Sequence, residues 1–505
     1  MKYTGINIGP IIPTISMGRR PREIWAASYL FSFLMQCIIE EIKKIEGTEI
    51  VSPATLESDE KVGVGLYPDR VFVQGEFDVA TIIDKALEKF EFLTGIKKEY
   101  VNVMYATIEE KEGESPIKQL NRLLDTTELC NRPIDEESRN SVIDILTKGY
   151  ESPLHVHAFN KLEYHIPFLA EIATTRLSGE EKWTELCKIF SKIKTNKEAT
   201  QKEDEFYQSI KEQFKNGIYG KDEKFFSYYK YICIVQADGD NMGKIVSSIN
   251  ADDVKDISQS LLNYGKAVCK IIKEYGGLPI YAGGDDLLFI APVRAKDATI
   301  FDLIDSIDEL YKDTVDAKIK DNLRPNGIHT YLSYGLSITY YKYPLYEAFK
   351  DAIRLLFEKA KNVEGKNAIS WQLRKHSGTG FVGEFTKDLS SSNTIYSLFK
   401  DISKIPVEEK QISALAHKLK INEGLLSILF KKYKDNATEL SGRIDNFYEK
   451  FMEDTGKDRY ITLTKELLYA MMIDSKATGI ATILENMYGI LRTAKFIKGE
   501  VDKNE

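Results

Sequence analysis

Residues 278–292, LPIYAGGDDLLFIAP, form a long apolar segment that is interrupted in its middle by two glycines and two aspartates. Such a segment is typical of two buried β-strands joined by a tight turn. A buried carboxylate without compensation costs several kcal/mol or takes up a proton. We therefore expect positive charge to meet Asp285 and Asp286 at this hairpin.

The elements predicted around the hairpin follow an order that occurs twice in the chain. Each copy has a strand, a helix, a hairpin, a helix and a strand, which is the order of a ferredoxin-like unit. The first copy consists of the strand at 3–12, the helix at 22–45, the strand-like pieces TEIVSP and RVFVQG, the helix at 77–93 and the strand YVNVMYATI. The second consists of the strand at 231–236, a helix with apolar residues from 254 to 272, the hairpin, the helix at 300–318, the strand YLSYGLSITYY and a closing helix, LYEAFKDAIRLLFEKAKN.

The patterning predicts an α+β fold with two ferredoxin-like palm domains of the polymerase and cyclase kind. A chain of 505 residues is too long for one core. We place the first palm-like domain at 1–110, a mainly helical linker domain at 111–222, the palm domain with the acidic pair at 223–383 and a C-terminal helical bundle at 384–505. Within the linker, the polar stretch at 194–205 is predicted to be an exposed connection.

Composition limits the function classes. The formal net charge of −8 argues against indiscriminate binding of nucleic acid over the whole surface. The five cysteines include no CxxC pair, so a zinc ribbon or a disulfide framework is not indicated. The chain shows no signal peptide and no apolar run of ~18 residues, which predicts a soluble, cytoplasmic protein without a membrane partner.

A second acidic segment, ADGDNMGK at 237–244, follows the first strand of the second unit. Asp238 ends this strand, and the small residues after it, Gly239, Asp240 and Asn241, leave backbone N–H groups free to face a phosphate. In a ferredoxin-like sheet the first strand lies beside the hairpin, so Asp238 is expected near Asp285 and Asp286. Three converging carboxylates repel one another unless cations lie between them.

We therefore predict that Asp238, Asp285 and Asp286 are metal ligands and catalytic residues. Hard oxygen ligands suit Mg²⁺ or Mn²⁺, which usually bind together with substrate phosphates. Two such ions can activate an attacking hydroxyl and stabilise a leaving pyrophosphate. The alternative is that GGDD is an ordinary exposed turn and DGD a separate loop. The combination of both motifs with an apolar strand and a helix between them favours the metal site.

Several further residues are predicted nucleotide contacts. Gly283 and Gly284 allow a nucleotide to approach the backbone closely. Lys366 could reach a triphosphate, or be a surface lysine at a helix exit. Ser333 and Tyr334 could line a base pocket, or pack in the core.

The chain resembles the large palm-domain subunit of type III CRISPR effector complexes of the Cmr type. The resemblance rests on IGPIIPTISMGRRPREIWAASYLFS near the start and on LYPDRVFV, FLAEIATT, ADGDNMGK and YGGLPIYAGGDDLLFIAP, in that order. It implies an enzyme activated by target RNA that joins ATP into cyclic oligoadenylates. It also implies partner subunits, a guide RNA, and the ligand roles of Asp238, Asp285 and Asp286. Arg19, Arg20 and Arg22 would then contact RNA or a partner, or stabilise the local fold.

Many members of this family also carry an HD-type nuclease, but the chain contains no His-Asp dipeptide. The resemblance is therefore to the variant without the nuclease, and DNA cleavage by this chain is not expected. Some such relatives attach AMP to S-adenosylmethionine, and the sequence does not separate that product from an oligoadenylate. Two other readings stay open: a stand-alone nucleotide cyclase or polymerase, and a catalytically inactive scaffold subunit.

Overall fold

A computed structural model describes most of the chain and includes both predicted sheets. The described residues are 1–56, 62–111, 113–128, 134–148, 151–159, 165–175, 177, 196–220, 224–295, 297–387, 394–405, 409–452, 459–474 and 480–499. The strands are β1 Lys2–Gly9, β2 Glu49–Ser52, β3 Arg70–Gln74, β4 Asn102–Glu109, β5 Tyr231–Asp240, β6 Leu278–Gly283, β7 Asp286–Pro292, β8 Arg294–Ala295, β9 Ala298–Thr299, β10 Tyr331–Tyr340, β11 Ala368–Arg374 and β12 Gly380–Thr386.

Helices account for most of the remaining described residues. In the first palm and the linker they are α1 Ile11–Ile15, α2 Pro21–Ile42, α3 Val79–Thr94, α4 Pro116–Glu128, α5 Glu136–Thr147, α6 Pro153–Ala158, α7 Leu169–Thr174 and α8 Asn196–Lys215. In the second palm they are α9 Met242–Val246, α10 Ala251–Tyr275, α11 Ile300–Thr314 and α12 Leu345–Phe357. The C-terminal region contains α13 Ile395–Lys404, α14 Glu409–Ile421, α15 Glu423–Tyr433, α16 Ala437–Met452, α17 Arg459–Asp474 and α18 Ile480–Gly499.

The first sheet has the strand order β2-β3-β1-β4, with every neighbouring pair antiparallel. This is the order of a ferredoxin-like sheet, and the predicted first palm is confirmed. Its helix α2 is buried along almost its whole length, because it packs between the sheet and helices of the linker. Among the described residues between β4 and β5, all regular elements are helices, as predicted.

The second sheet has the order β12-β11-β10-β5-β7-β6. Its four ferredoxin-like strands place β5 between β10 and β7, so the predicted second palm is also confirmed. Two further strands extend this sheet: β11 pairs parallel with β10, and β12 runs to Thr386, beyond residue 383. Helix α10 is capped at its start by Asn250, whose side chain accepts the Asp253 N–H at 2.9 Å, and at its end by Gly276 in the left-handed conformation.

One predicted connection is wrong. Residues 196–205 of the polar stretch belong to helix α8, which runs from Asn196 to Lys215, and residues 194–195 lie outside the described residues. The helix is rich in charged residues, but one of its faces is apolar and buried. This face consists of Phe206, Tyr207, Ile210 and Phe214. Every regular element described after β12 is a helix, in agreement with the predicted C-terminal bundle. In the described part of the chain, no helix is both long and apolar enough to cross a membrane.

The two palms contact each other through the hairpin β6–β7. The Ala282 N–H donates to the Gly65 carbonyl at 2.9 Å, and the Tyr281 hydroxyl donates to the Tyr67 carbonyl at 3.4 Å. A cavity of about 990 Å³ lies between the two sheets. Residues from both palms line it, among them Asp69 of the first and Asp286 of the second.

A tight helix-on-sheet contact gives a test of the second palm. A Cβ on Gly335 of β10 would overlap the Ala352 carbonyl and the Leu356 N of α12. We expect Gly335→Ala to destabilise the chain by about 2 kcal/mol, because overpacking forces helix and sheet apart. Thermal unfolding checks this, with Gly424→Ala as the control, since a Cβ there meets no atom within 4 Å. Equal melting temperatures for the two variants would contradict the packing.

Candidate active site

Gly239 allows the end of β5 to lie directly beside the GGDD turn. Asp238, Gly239 and Asp240 are the last residues of β5, and their register partners on β10 are Ser333, Leu332 and Tyr331. A Cβ on Gly239 would lie 2.6 Å from the Asp285 Cβ and closer still to its carboxylate. A larger residue would displace Asp285, so this glycine brings the two acidic motifs together as predicted from the sheet order.

The GGDD segment is a two-residue turn between β6 and β7. Gly283 pairs with Asp286, which leaves Gly284 and Asp285 at the bend. Gly284 has φ +65°, a conformation that glycine adopts without steric cost. A Cβ on Gly283 would overlap the hydroxyl of Tyr281. The turn therefore directs Asp285 to β5, while Asp286 borders the cavity between the palms.

The three predicted ligands interact electrostatically. Burial, followed by the charge of Asp238, raises the pKa of Asp285 to about 7. Burial and the charges of Asp238 and Asp285 raise the pKa of Asp286 well above its usual value. Burial also raises the pKa of Asp238, although Lys361 opposes this shift. The charge of Asp238 thus makes ionisation of both Asp285 and Asp286 less favourable, and a cation beside these carboxylates would oppose that effect.

Lys361 contacts the predicted site and is a residue that the sequence reasoning did not single out. It lies in the short 3₁₀ turn Ala360–Asn362 after α12, and its Nζ is 2.8 Å from both Asp238 Oδ2 and Asp240 Oδ1. The same Nζ donates to the carbonyls of Asp238 and Gly239. Burial opposes the charge of Lys361, but the attraction of Asp238 and Asp240 raises its pKa overall. The signal available in the sequence was a lysine directly after the helix that follows β10.

Asp240 and Ser333 lie beneath the site. Asp240 is fully buried, and its Oδ2 accepts hydrogen bonds from Ser333 Oγ at 2.7 Å and from the Asn367 N–H at 2.8 Å. Ser333 Oγ in turn accepts the Ala368 N–H at 3.2 Å. These bonds support the end of β5 from below, whereas direct nucleotide contact by either residue stays a prediction. Tyr334 is in the core, where its hydroxyl donates to Asp308.

Lys366 and Asn241 border the site on either side. Lys366 lies in a turn with φ +55°, and its charge lowers the pKa of Asp238, which places it within electrostatic reach. Asn241 also has a positive φ, of 65°, and its side-chain amide donates to the His329 carbonyl at 3.2 Å. Nucleotide binding by both residues stays a prediction.

The arginines near the start of the chain are placed elsewhere. Arg19, Arg20 and Arg22 border a different cavity, of about 410 Å³, together with residues of α7, α8 and the loop after β10. Arg22 is buried, and the Arg19 N–H donates to Glu23 at 2.8 Å. The local contacts agree with a structural role, and RNA contact stays a prediction.

The described residues form no preassembled metal cage from three or more His, Cys, Asp or Glu side chains. At the predicted site, one oxygen of Asp238 and one of Asp240 are taken up by Lys361. Asp285 and Asp286 make no ion pair with a basic side chain among the pairs the structure records in its described part. Lys361 thus supplies positive charge to Asp238 and Asp240 on β5, and not, as expected from the sequence, as an ion pair to Asp285 and Asp286.

Comparison with known proteins agrees with this architecture. Residues 231–370 match the family model for the second palm domain of Cas10/Cmr2, and residues 3–88 match that for the N-terminal part of the CRISPR-associated protein Cmr2. The CRISPR system Cmr subunit Cmr2 of Pyrococcus furiosus is 30% identical over 179 residues, which is 30% of this chain. The match covers 19% of the length of that relative.

Solved structures share the fold along nearly the whole chain. A cryo-EM structure of the type III-B Cmr-beta complex bound to cognate target RNA has a chain that matches with a TM-score of 0.57 and 12% identity, covering 98% of this chain and 83% of that one. The apo state of Cmr-beta matches with a TM-score of 0.59 and 12% identity, covering 98% and 82%. Residues 3–88 and 231–370 are thus similar to the N-terminal part of Cmr2 and to the second palm domain of Cas10/Cmr2, and the chain shares its fold with a subunit of the Cmr-beta complex.

Proposed function

We propose that the chain is a nucleotidyltransferase subunit of a type III CRISPR complex and makes an adenylate second messenger from ATP. The observation that carries the proposal is the meeting of Asp238 with the GGDD turn across Gly239, beside the ammonium group of Lys361. A scaffold subunit would have no need for this group of half-buried carboxylates, in which the charge of Asp238 raises the pKa of both Asp285 and Asp286.

The donor set fits divalent cations. Asp238, Asp285 and Asp286 offer only oxygen atoms, the ligands that Mg²⁺ and Mn²⁺ prefer, and their mutual repulsion is relieved by a cation between them. When bound, two such ions would favour deprotonation of the attacking hydroxyl and neutralise charge on the leaving pyrophosphate. Since the substrate supplies the nucleophile, the protein has only to hold ions and nucleotides in place.

Other residues would bind and orient ATP. Lys361 and Lys366 provide positive charge close to Asp238, where a triphosphate would lie. Gly284 leaves the backbone of the turn open to close approach, whereas the space beside Gly283 is filled by the Tyr281 hydroxyl. The cavity of about 990 Å³ between the palms is large enough for an acceptor molecule, and Asp286 borders it.

The partners and the product belong to the same proposal. The type III-B Cmr-beta relative was solved bound to its cognate target RNA. By analogy, we infer that this chain assembles with other subunits and a guide RNA, and that target RNA activates it. The acceptor decides the product, which is either a cyclic oligoadenylate or AMP joined to S-adenosylmethionine.

The first prediction concerns catalysis. In the reconstituted complex with target RNA, Mg²⁺ or Mn²⁺ and labelled ATP, with and without S-adenosylmethionine, we expect an adenylate product identifiable by mass spectrometry. Asp285→Ala with Asp286→Ala, and separately Asp238→Asn, should reduce its yield at least ~100-fold, because removing a ligand charge releases the cation. Complex assembly, measured by size-exclusion chromatography, should not change.

Unchanged yield in the Asp285→Ala, Asp286→Ala variant would overturn the metal assignment. Product formation by the isolated chain without any RNA would instead indicate a stand-alone cyclase or polymerase. A wild-type complex that makes no product would indicate an inactive scaffold.

The second prediction concerns cation binding without substrate. Gly239→Ala should displace Asp285 and weaken Mn²⁺ binding about tenfold, as measured by the electron paramagnetic resonance of free Mn²⁺. Gly243→Ala is a matched control four residues along the chain, because a Cβ there meets no atom within 4 Å. Equal Mn²⁺ affinities for the two variants would show that the approach of Asp285 to β5 is irrelevant to binding.

The third prediction concerns pH. The folded pKa of Asp285, about 7, lies above its ordinary value of 3.8, so the carboxyl favours the folded state when protonated and costs stability once it ionises. Without divalent cations, the wild type should lose this stability as pH rises from about 4 to 7. Asp285→Asn should therefore be more stable than wild type by up to about 4 kcal/mol at pH 8, with little difference at pH 4.

Thermal unfolding in EDTA at both pH values measures this difference. A stability gain of the same size at pH 4 and pH 8 would show that the charge of Asp285 is not its cause.

A further inference from the structure

A buried ion pair lies behind the site and is not part of it. Lys387, which directly follows β12, is enclosed completely, and its Nζ is 2.5 Å from Asp308 Oδ2 on α11. Asp308 Oδ1 accepts the Tyr334 hydroxyl at 2.9 Å, and the ammonium lies 4.3 Å from the centre of the Tyr334 ring. The ammonium group of Lys387 is therefore paired inside the core, although burial still lowers the pKa of Lys387 and raises that of Asp308.

The same lysine holds a turn through its backbone. The Lys387 N–H donates to the Asn367 carbonyl at 2.7 Å, and the Asn367 side-chain amide donates back to the Lys387 carbonyl. The Asn367 N–H donates in turn to Asp240 Oδ2, whose partner oxygen contacts Lys361. Hydrogen bonds and short stretches of backbone thus connect Lys387 to Asp238.

The turn between these contacts needs external support. Gly365, Lys366 and Asn367 have φ values of +81°, +55° and +49°, all in the left-handed region. Lys366 and Asn367 are not glycines, and such residues keep this conformation only where the surrounding structure imposes it. Asn367 is hydrogen-bonded both to the backbone of Lys387 and to the carboxylate of Asp240. These bonds hold the turn in the conformation that places Lys366 beside the site.

Stability alone does not account for the ion pair. Desolvating two charges costs several kcal/mol, and replacing a buried pair with uncharged groups of similar size is often neutral or stabilising. A buried pair of this kind is not needed for stability. Its contact with a strained turn beside the site is better explained by the need to keep Lys366 and Asp240 in place.

We propose that the buried Lys387–Asp308 pair is a positioning element that holds the 365–367 turn, and through it Asp240, Lys361 and Lys366, in the arrangement that the site needs. This inference rests on the proposed nucleotidyl transfer. It assigns a role in that reaction to two residues that touch neither the carboxylates Asp238, Asp285 and Asp286 nor the cavity between the palms.

The test is the double variant Lys387→Met with Asp308→Asn, which removes both charges and keeps an acceptor for Tyr334. Its matched control is Lys400→Met with Asp305→Asn. That pair also joins α11 to a following segment, and Asp305 also accepts a tyrosine hydroxyl, from Tyr396, but it makes no contact with the turn. We expect both double variants to melt close to the wild-type temperature.

Two readouts separate positioning from stability. Hydrogen–deuterium exchange of the full-length chain should be about tenfold faster in peptides covering 361–372 for the Lys387 variant, and unchanged for the control. In the complex with target RNA, kcat should fall at least about tenfold for the Lys387 variant, more than KM for ATP rises. The control should retain wild-type kcat.

Each outcome decides the proposal. Wild-type exchange in the turn, or faster exchange with unchanged kcat, overturns it. If the double variant does not fold, Asn367→Gly gives the same test, because it permits positive φ and removes only the side-chain bond to Lys387. If the wild-type complex makes no product, the proposed function fails, and exchange in 361–372 still decides whether the pair holds the turn.

Discussion

The end of β5 depends on its contacts with the ammonium group of Lys361. This group contacts Asp238, Asp240 and two backbone carbonyls at the end of β5, and so gives the fully buried Asp240 a cationic partner. An unpaired charge at that depth would cost several kcal/mol. With Asp240 fixed, Ser333 and Asn367 have a partner, and the strand end keeps the shape that receives Asp285.

The acids divide into two classes by their partners. Asp240 is satisfied by protein groups on both oxygens, whereas Asp285 and Asp286 have raised pKa values and border the GGDD bend. The DGD motif thus contains one residue that supports the site and one, Asp238, that faces both Lys361 and Asp285. Motif spacing alone does not make this distinction, because both aspartates follow the same apolar strand.

Sequence reasoning located the two palms, the strand order and the approach of Asp238 to the GGDD turn, since these follow from apolar periodicity and from ferredoxin-like topology. It missed Lys361 and favoured Lys366. Both lysines follow the same helix, and the conformation of the chain at the end of that helix decides which of them reaches β5. Sequence reasoning also interpreted the start of α8 as a connection, since its charges outnumber the aromatic residues that the helix buries. Long-range packing decided each of these cases.

The hydrogen bond from Ala282 to Gly65 has a mechanical consequence. Ala282 lies two residues before the bend at Gly284, so the strand that leads into the GGDD turn is hydrogen-bonded to a loop of the other palm close to that turn. A movement of this loop would therefore act on the GGDD turn through the bond. The first palm, which carries no GGDD segment of its own, is in this way joined to the segment of the second palm that contains it.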